Sequence, residues 1–128
     1  MISLDTTFLI DLQREMAGTG VGPASRWLTE NEEDCGVCAI CLGELAEGLP
    51  QPDHPVLDYL LQRFVLLPVD RSVALSYGKL VRLLRSRGKL IGTNDLWIAA
   101  TALAHGIPLL TRNLEELRQV PGLRVMTY

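Results

Sequence analysis

Short apolar runs alternate along this chain with longer stretches whose apolar residues recur at helical spacing, and that alternation restricts the fold more than any other feature. Five runs read as strands: Ile2–Asp5, Gly36–Ile40, Phe64–Val69, Ile107–Thr111 and Leu123–Thr127. Helices are expected over Thr6–Met16, Ala24–Glu33, Leu42–Gly48, Val56–Arg63, Ser72–Arg87 and Thr93–His105, with a helical turn at Asn113–Arg118. Ser72–Arg87 is the clearest of them, with Val73, Tyr77, Leu80 and Leu84 on one stripe. Thr6 or Thr7 sits where a cap belongs, and Gly106 where a C-terminal glycine belongs. A turn or loop is expected at Gly18–Pro23, and Gln51–Pro55 breaks the chain. Strand–helix alternation specifies an α/β fold with a central parallel sheet and helices on both faces. At 128 residues, residues 1–128 read as one domain.

Composition narrows the class. A hydrophobic content of 48 % with 21 % charged residues is too apolar for a disordered chain. No apolar stretch reaches the roughly 18 residues of a membrane span, so no membrane partner is expected. The first residues lack a basic segment, and Asp5 interrupts any signal core; three cysteines cannot pair completely. A cytoplasmic location is the expectation. Charge is segregated: residues 1–58 hold eleven acids against two bases, and residues 59–128 four acids against ten bases. Between Asp70 and Asp95 fall six bases and no acid, which permits an acidic centre beside a basic surface.

Asp5 is the residue that needs a reason, because a charge that ends a buried strand needs a partner, an edge or a task. In open parallel sheets ligands bind beyond the carboxyl ends of the strands. Asp5 ends the first strand, Glu44 follows the second, Asp95 lies in the first turn of its helix, and Thr111-Arg112-Asn113 ends the Ile107–Thr111 strand. Four segments therefore deliver polar groups toward one rim. Clustered carboxylates ionise together only with a compensating cation, and hard oxygen donors suit Mg²⁺, with Mn²⁺ as a substitute. Such an ion activates water for in-line attack on a phosphodiester. Thr6 and Thr7 hydroxyls would orient ligands or waters. Taken singly, Asp5 reads equally well as a helix cap, Asp95 as a dipole partner and Glu44 as an exposed helix residue.

Blocks of sequence go further. The opening SLDTTFLIDL, the segment AICLGELAEGL, the run PVDRSVALSYGKLVRLLRSRGKLIGTNDLWIAATALAHGIPLLTRN and the ending VPGLRV, in this order, resemble the PIN-domain family, specifically the VapC-like toxins of toxin–antitoxin pairs. The resemblance covers nearly the whole chain. It implies a three-layer α/β/α sandwich and a Mg²⁺-dependent endoribonuclease leaving a 3′-hydroxyl and a 5′-phosphate. Asp5, Glu44 and Asp95 match the family's three acids. Many members have a fourth acid where this chain has Asn113, a departure that leaves one or two ions open; Glu116, about one helical turn on, matches an acid often seen in such chains and could compensate. Asn113, Glu116 and Thr111 become candidates for a second ion or for water positions. Arg82, Arg85 and Arg112 become candidate RNA contacts. The resemblance also implies a homodimer, a cognate antitoxin partner, and promoter DNA bound only through that antitoxin. Asn113 alone favours a second reading, a catalytically weak PIN-fold regulatory or binding subunit.

Other signals carry less. Cys35, Cys38 and Cys41 are spaced like metal ligands, but Cys35 and Cys38 would point to opposite faces of a strand and no fourth cysteine follows. Small buried side chains account for them better. His54 and His105 each lack a second histidine nearby, and Phe8, Trp27 and Trp97 fall on apolar stripes as core anchors.

Overall fold

Every strand of the sheet is short and every pairing is parallel, in the order β3-β2-β1-β4-β5. The structure, a computed structural model, describes residues 1–18 and 20–128. Among them the strands are β1 (Ile2–Leu4), β2 (Cys35–Cys38), β3 (Val65–Leu67), β4 (Leu109–Leu110) and β5 (Val125–Met126). The helices are α1 (Thr6–Ala17), α2 (Pro23–Glu30), α3 (Ala39–Glu47), α4 (Pro55–Arg63), α5 (Arg71–Ser86), α6 (Thr93–His105) and α7 (Leu114–Leu117). The turn expected over 18–23 includes residue 19, which lies outside the described residues.

β1, β2 and β4 are buried along their whole length, as strands covered on both faces must be. From β1 the chain steps to β2 and β3 in one direction, then crosses back to β4 and β5. Right-handed crossovers running in opposite directions put α1–α4 on one face and α5–α7 on the other, which gives the expected three-layer sandwich. The core joins Phe8, Leu9 and Leu12 of α1, Leu80 and Leu84 of α5, and Ile98, Ala99 and Ala102 of α6 to the strands.

Several boundaries differ from expectation. Ala39 and Ile40 open α3 rather than extending β2, with Cys38 as the cap, because the continuous apolar run CGVCAICL carries no period to divide it. β3 stops at Leu67, ahead of Pro68, which has no N–H to donate to a ladder. α2 ends at Glu30 with Asn31 as its cap, leaving Glu32 and Glu33 beyond it. α6 spans its expected residues and closes on Gly106 at φ 63°, the left-handed geometry only glycine takes without strain. All three cysteines are buried thiols. Phe8 and Trp27 are core anchors, but Trp97 is only half-buried and lies flat on Tyr77, ring centroids 3.7 Å apart.

Candidate active site

Strand order reverses at β1, so the crevice between β1 and β4 is the switch point where such sheets bind ligands. Asp5 leaves β1 into this crevice, 3 % exposed, and Thr111 leaves β4 beside it. Asp5 is both a helix cap and the centre of a polar network. Its Oδ1 accepts from the Thr6 N–H at 2.7 Å, and its Oδ2 from the hydroxyls of Thr111 at 2.5 Å and Thr7 at 3.3 Å. The Thr111 hydroxyl in turn accepts the Asn113 N–H at 2.9 Å. Thr6 turns its hydroxyl to Glu44 Oε1 at 2.8 Å, tying α1 to α3. Asn113 donates its amide to Glu116 Oε2 at 3.3 Å.

The electrostatics show the acids sensing one another. Burial raises the Asp5 carboxyl, its hydroxyl and N–H donors pull it back, and the charge of Glu44 adds to the rise. Burial also raises Asp95, joined by the charge of Asp5, a hydrogen bond with Glu116 and the charges of Glu116 and Glu44, and its pKa reaches about 6. Asp5, Glu44, Asp95 and Glu116 are thus brought to one rim. As placed, however, no three His, Cys, Asp or Glu side chains among the described residues stand close enough together to hold an ion. Glu44, half-buried, is engaged by the Thr6 hydroxyl. The donors are all oxygens, which fits a hard cation.

Thr6, Thr7 and Thr111 orient carboxylates, and Asn113 orients Glu116. Arg112 lies at the rim, its N–H 3.5 Å from the Thr7 hydroxyl. Arg82 and Arg85 are not brought to it. Tyr77 stacks on Trp97, and Leu80 and Leu83 share a cavity with Leu103, so α5 and α6 run side by side in the same direction. The two arginines therefore sit near the level of Leu103, about 12 Å along the α6 axis from Asp95 at 1.5 Å per residue. Cys41, read from the sequence as a small buried side chain, is buried, its thiol pushed up by Cys38 and by burial, with the Asp5 charge adding to the rise. Asp11 and Tyr128 are residues the sequence did not single out. Only an acid one helical turn after Thr7 on α1 hinted at the first, and nothing at the second.

A carboxylate rim at the switch point of a five-stranded parallel sheet is an arrangement that several α/β families share, and the family model for the PIN domain matches residues 2–123; the chain belongs to that family. Within the family it is VapC-like. It is 38 % identical over 99 residues to Ribonuclease VapC4 of Mycobacterium tuberculosis, covering 72 % of this chain and 75 % of that one. It is 28 % identical over 132 residues to Ribonuclease VapC1 of Rickettsia felis, covering 97 % and 93 %. Among solved structures, VapBC2 from Rickettsia felis bound to a promoter DNA fragment superposes with a TM-score of 0.85 at 25 % identity, over 100 % of this chain and 99 % of that one. DNA-bound VapBC from Salmonella typhimurium also gives 0.85 at 25 %, over 98 % and 96 %. No helix among the described residues is long and apolar enough to cross a membrane.

Proposed function

We propose that this chain is a VapC-type ribonuclease, the toxin of a toxin–antitoxin pair, that hydrolyses RNA phosphodiesters with Mg²⁺, or Mn²⁺ in its place. The observation that carries the reading is the convergence of Asp5, Glu44, Asp95 and Glu116 on one rim, in a chain whose curated relatives are ribonucleases. Asp5, Glu44 and Asp95 would hold the ion, with Glu116 and Asn113 beside them. When bound, the ion supplies an activated water and offsets phosphate charge. Asp5 is aimed by three donors, and Thr6 keeps Glu44 within reach. Asn113 does not itself replace the missing acid; its amide holds Glu116, which brings the fourth carboxylate. That arrangement favours the nuclease over the weak regulatory subunit.

The partner is a cognate antitoxin, by likeness to the VapBC complexes, and DNA contact in this reading runs through that antitoxin. The toxin itself is expected to be a homodimer. The test is purified, antitoxin-free protein incubated with total cellular RNA and Mg²⁺ or Mn²⁺. Discrete fragments that vanish with EDTA and in Asp95→Asn are the expected result. Equal cutting by wild type and Asp95→Asn would reject the site, and intact RNA throughout would favour the regulatory subunit.

A further inference from the structure

Beside the carboxylates, and outside the chemistry assigned to them, lies a three-residue device that joins the end of β4, the middle of α1 and residue 128. Arg112 leaves β4 with its N–H on the Thr7 hydroxyl, the same hydroxyl that donates to Asp5. Its side chain then runs along α1, where Nε meets Asp11 Oδ2 at 3.0 Å. That same oxygen accepts the Tyr128 hydroxyl at 2.6 Å. The Tyr128 ring is fixed in turn, edge-on to fully buried Phe8 with centroids 4.8 Å apart.

The two partners differ sharply in exposure: the Asp11 side chain is 15 % accessible and that of Arg112 is 56 %. An exposed ion pair is ordinarily worth little because both side chains wander. Here the carboxylate is pinned by a hydroxyl whose ring is pinned by the core, so the guanidinium is the only free end. Asp11 holds the guanidinium at Nε, and apart from Asp11 no partner of the Arg112 side chain is found among the described residues. The guanidinium is a planar fork of the kind that grips phosphate through two parallel bonds. A tie between residue 128 and α1 would need only Tyr128 and Asp11; the outward fork adds nothing to it. The rim is otherwise acidic, so a polyanion needs a fixed cation there.

We infer that Asp11, itself held by Tyr128, is a positioning residue that aims the Arg112 guanidinium as a phosphate clamp for the RNA strand beside the carboxylates. The inference rests on the ribonuclease reading above. It makes a prediction of unusual sign. Removing a negative charge near a polyanion's path should strengthen binding by simple electrostatics, whereas losing the positioner should weaken it.

The experiment uses a fluorescein-labelled RNA oligonucleotide spanning a cleavage site mapped in total RNA. Its affinity is measured by anisotropy in the Asp95→Asn background, with thermal melts confirming that each variant folds. Arg112→Gln is expected to bind about tenfold more weakly, the loss of one charge-assisted contact. Its dependence of log affinity on log salt should fall by about 0.7. Asp11→Asn is expected to weaken binding several-fold, and Tyr128→Phe in the same direction by less. In an Arg112→Gln background, Asp11→Asn should no longer weaken binding, and in active enzyme the change should appear in KM rather than kcat. Asp11→Asn that binds as well as or better than its parent, or that weakens binding equally with and without Arg112, overturns the inference while leaving the ribonuclease standing. Failure of wild type to cut any RNA would instead reject the ribonuclease reading.

Discussion

Asp95 shows how a single residue couples stability to the task of the site. Its carboxyl is raised by burial and then by Asp5, Glu116 and Glu44 to about 6, from an ordinary 3.8. An acid whose pKa rises on folding binds its proton more tightly in the native state. Its contribution is fully present below the unfolded value and is lost as pH rises through the folded one. At about pH 7.5 the metal-free protein therefore holds an uncompensated charge, and Asp95→Asn should stabilise it. Half the group faces solvent, so we expect about 1 kcal/mol rather than the full linkage value, a few degrees in Tm. The gain should shrink toward zero near pH 4, and Mg²⁺ should raise the Tm of wild type more than that of the variant. A gain independent of pH would mean that repulsion is not its source. Thr111 works in the opposite sense: it is fully buried and serves both Asp5 and the Asn113 N–H. Thr111→Val keeps the shape, removes one of the three donors to Asp5 and leaves the Asn113 N–H without its acceptor, so denaturant melts should show a loss of about 1–3 kcal/mol. Asp5 and Asp95 were legible as candidates from the end of a strand and the start of a helix, and Glu44 from the PIN-like block that contains it. The Thr6 and Thr7 hydroxyls were read as orienting groups, but not which carboxylate each would meet, and the Thr111–Asp5 bond spans 106 positions that no local pattern connects.

Elements follow the same division between pattern and contact. The period of α5 and the glycine closing α6 were readable, and both helices lie within a residue of expectation. What starts α2 was not. Gly22, its cap position, has no side chain to offer, and Pro23 has no N–H. Glu15 of α1 reaches across to accept from the N–H groups of Gly22 at 3.0 Å, Ala24 at 3.0 Å and Ser25 at 2.8 Å. Desolvation works to raise its pKa, but these donors outweigh it and hold the carboxyl below its usual 4.5. That stabilisation is present above the unfolded value and is lost as pH falls through the folded one. Glu15→Ala removes the cap of a neighbouring helix and should cost about 1–2 kcal/mol at neutral pH in a denaturant melt, less in acid. In the sheet, Gly36 of β2 is crossed by buried Leu67 of β3: a Cβ there would stand 2.8 Å from its Cδ1 and 2.9 Å from its Cγ. Gly36→Ala must displace that side chain and should cost about 1–3 kcal/mol by the same measurement.

The whole molecule separates its charges by height as well as by sequence. The sequence shows an acidic first half and a basic second, yet it does not say which bases reach the acids. The direction of α5 decides that. Because α5 and α6 lie side by side in the same direction, Arg82 and Arg85 fall near the far end of α6, whereas Arg112 is carried to the rim by β4. Both α5 arginines are exposed, and neither has an ion-pair partner among the described residues. They are free to attract a polyanion but stand about 12 Å along the helix from the carboxylates. Neutralising both, Arg82→Gln with Arg85→Gln, should leave kcat unchanged and Tm within about 1 °C, since exposed side chains distant from the chemistry rarely change either. If RNA runs down α5 from the rim, the salt dependence of its affinity should flatten by about 1.4, or 0.7 for each charge removed on a single strand. An unchanged slope would place the strand elsewhere on the surface and leave Arg112 as the principal cation on its path. A fall in kcat would mean that α5 communicates with the rim, and the Tyr77–Trp97 stack, two residues from Asp95, is the contact through which it would do so.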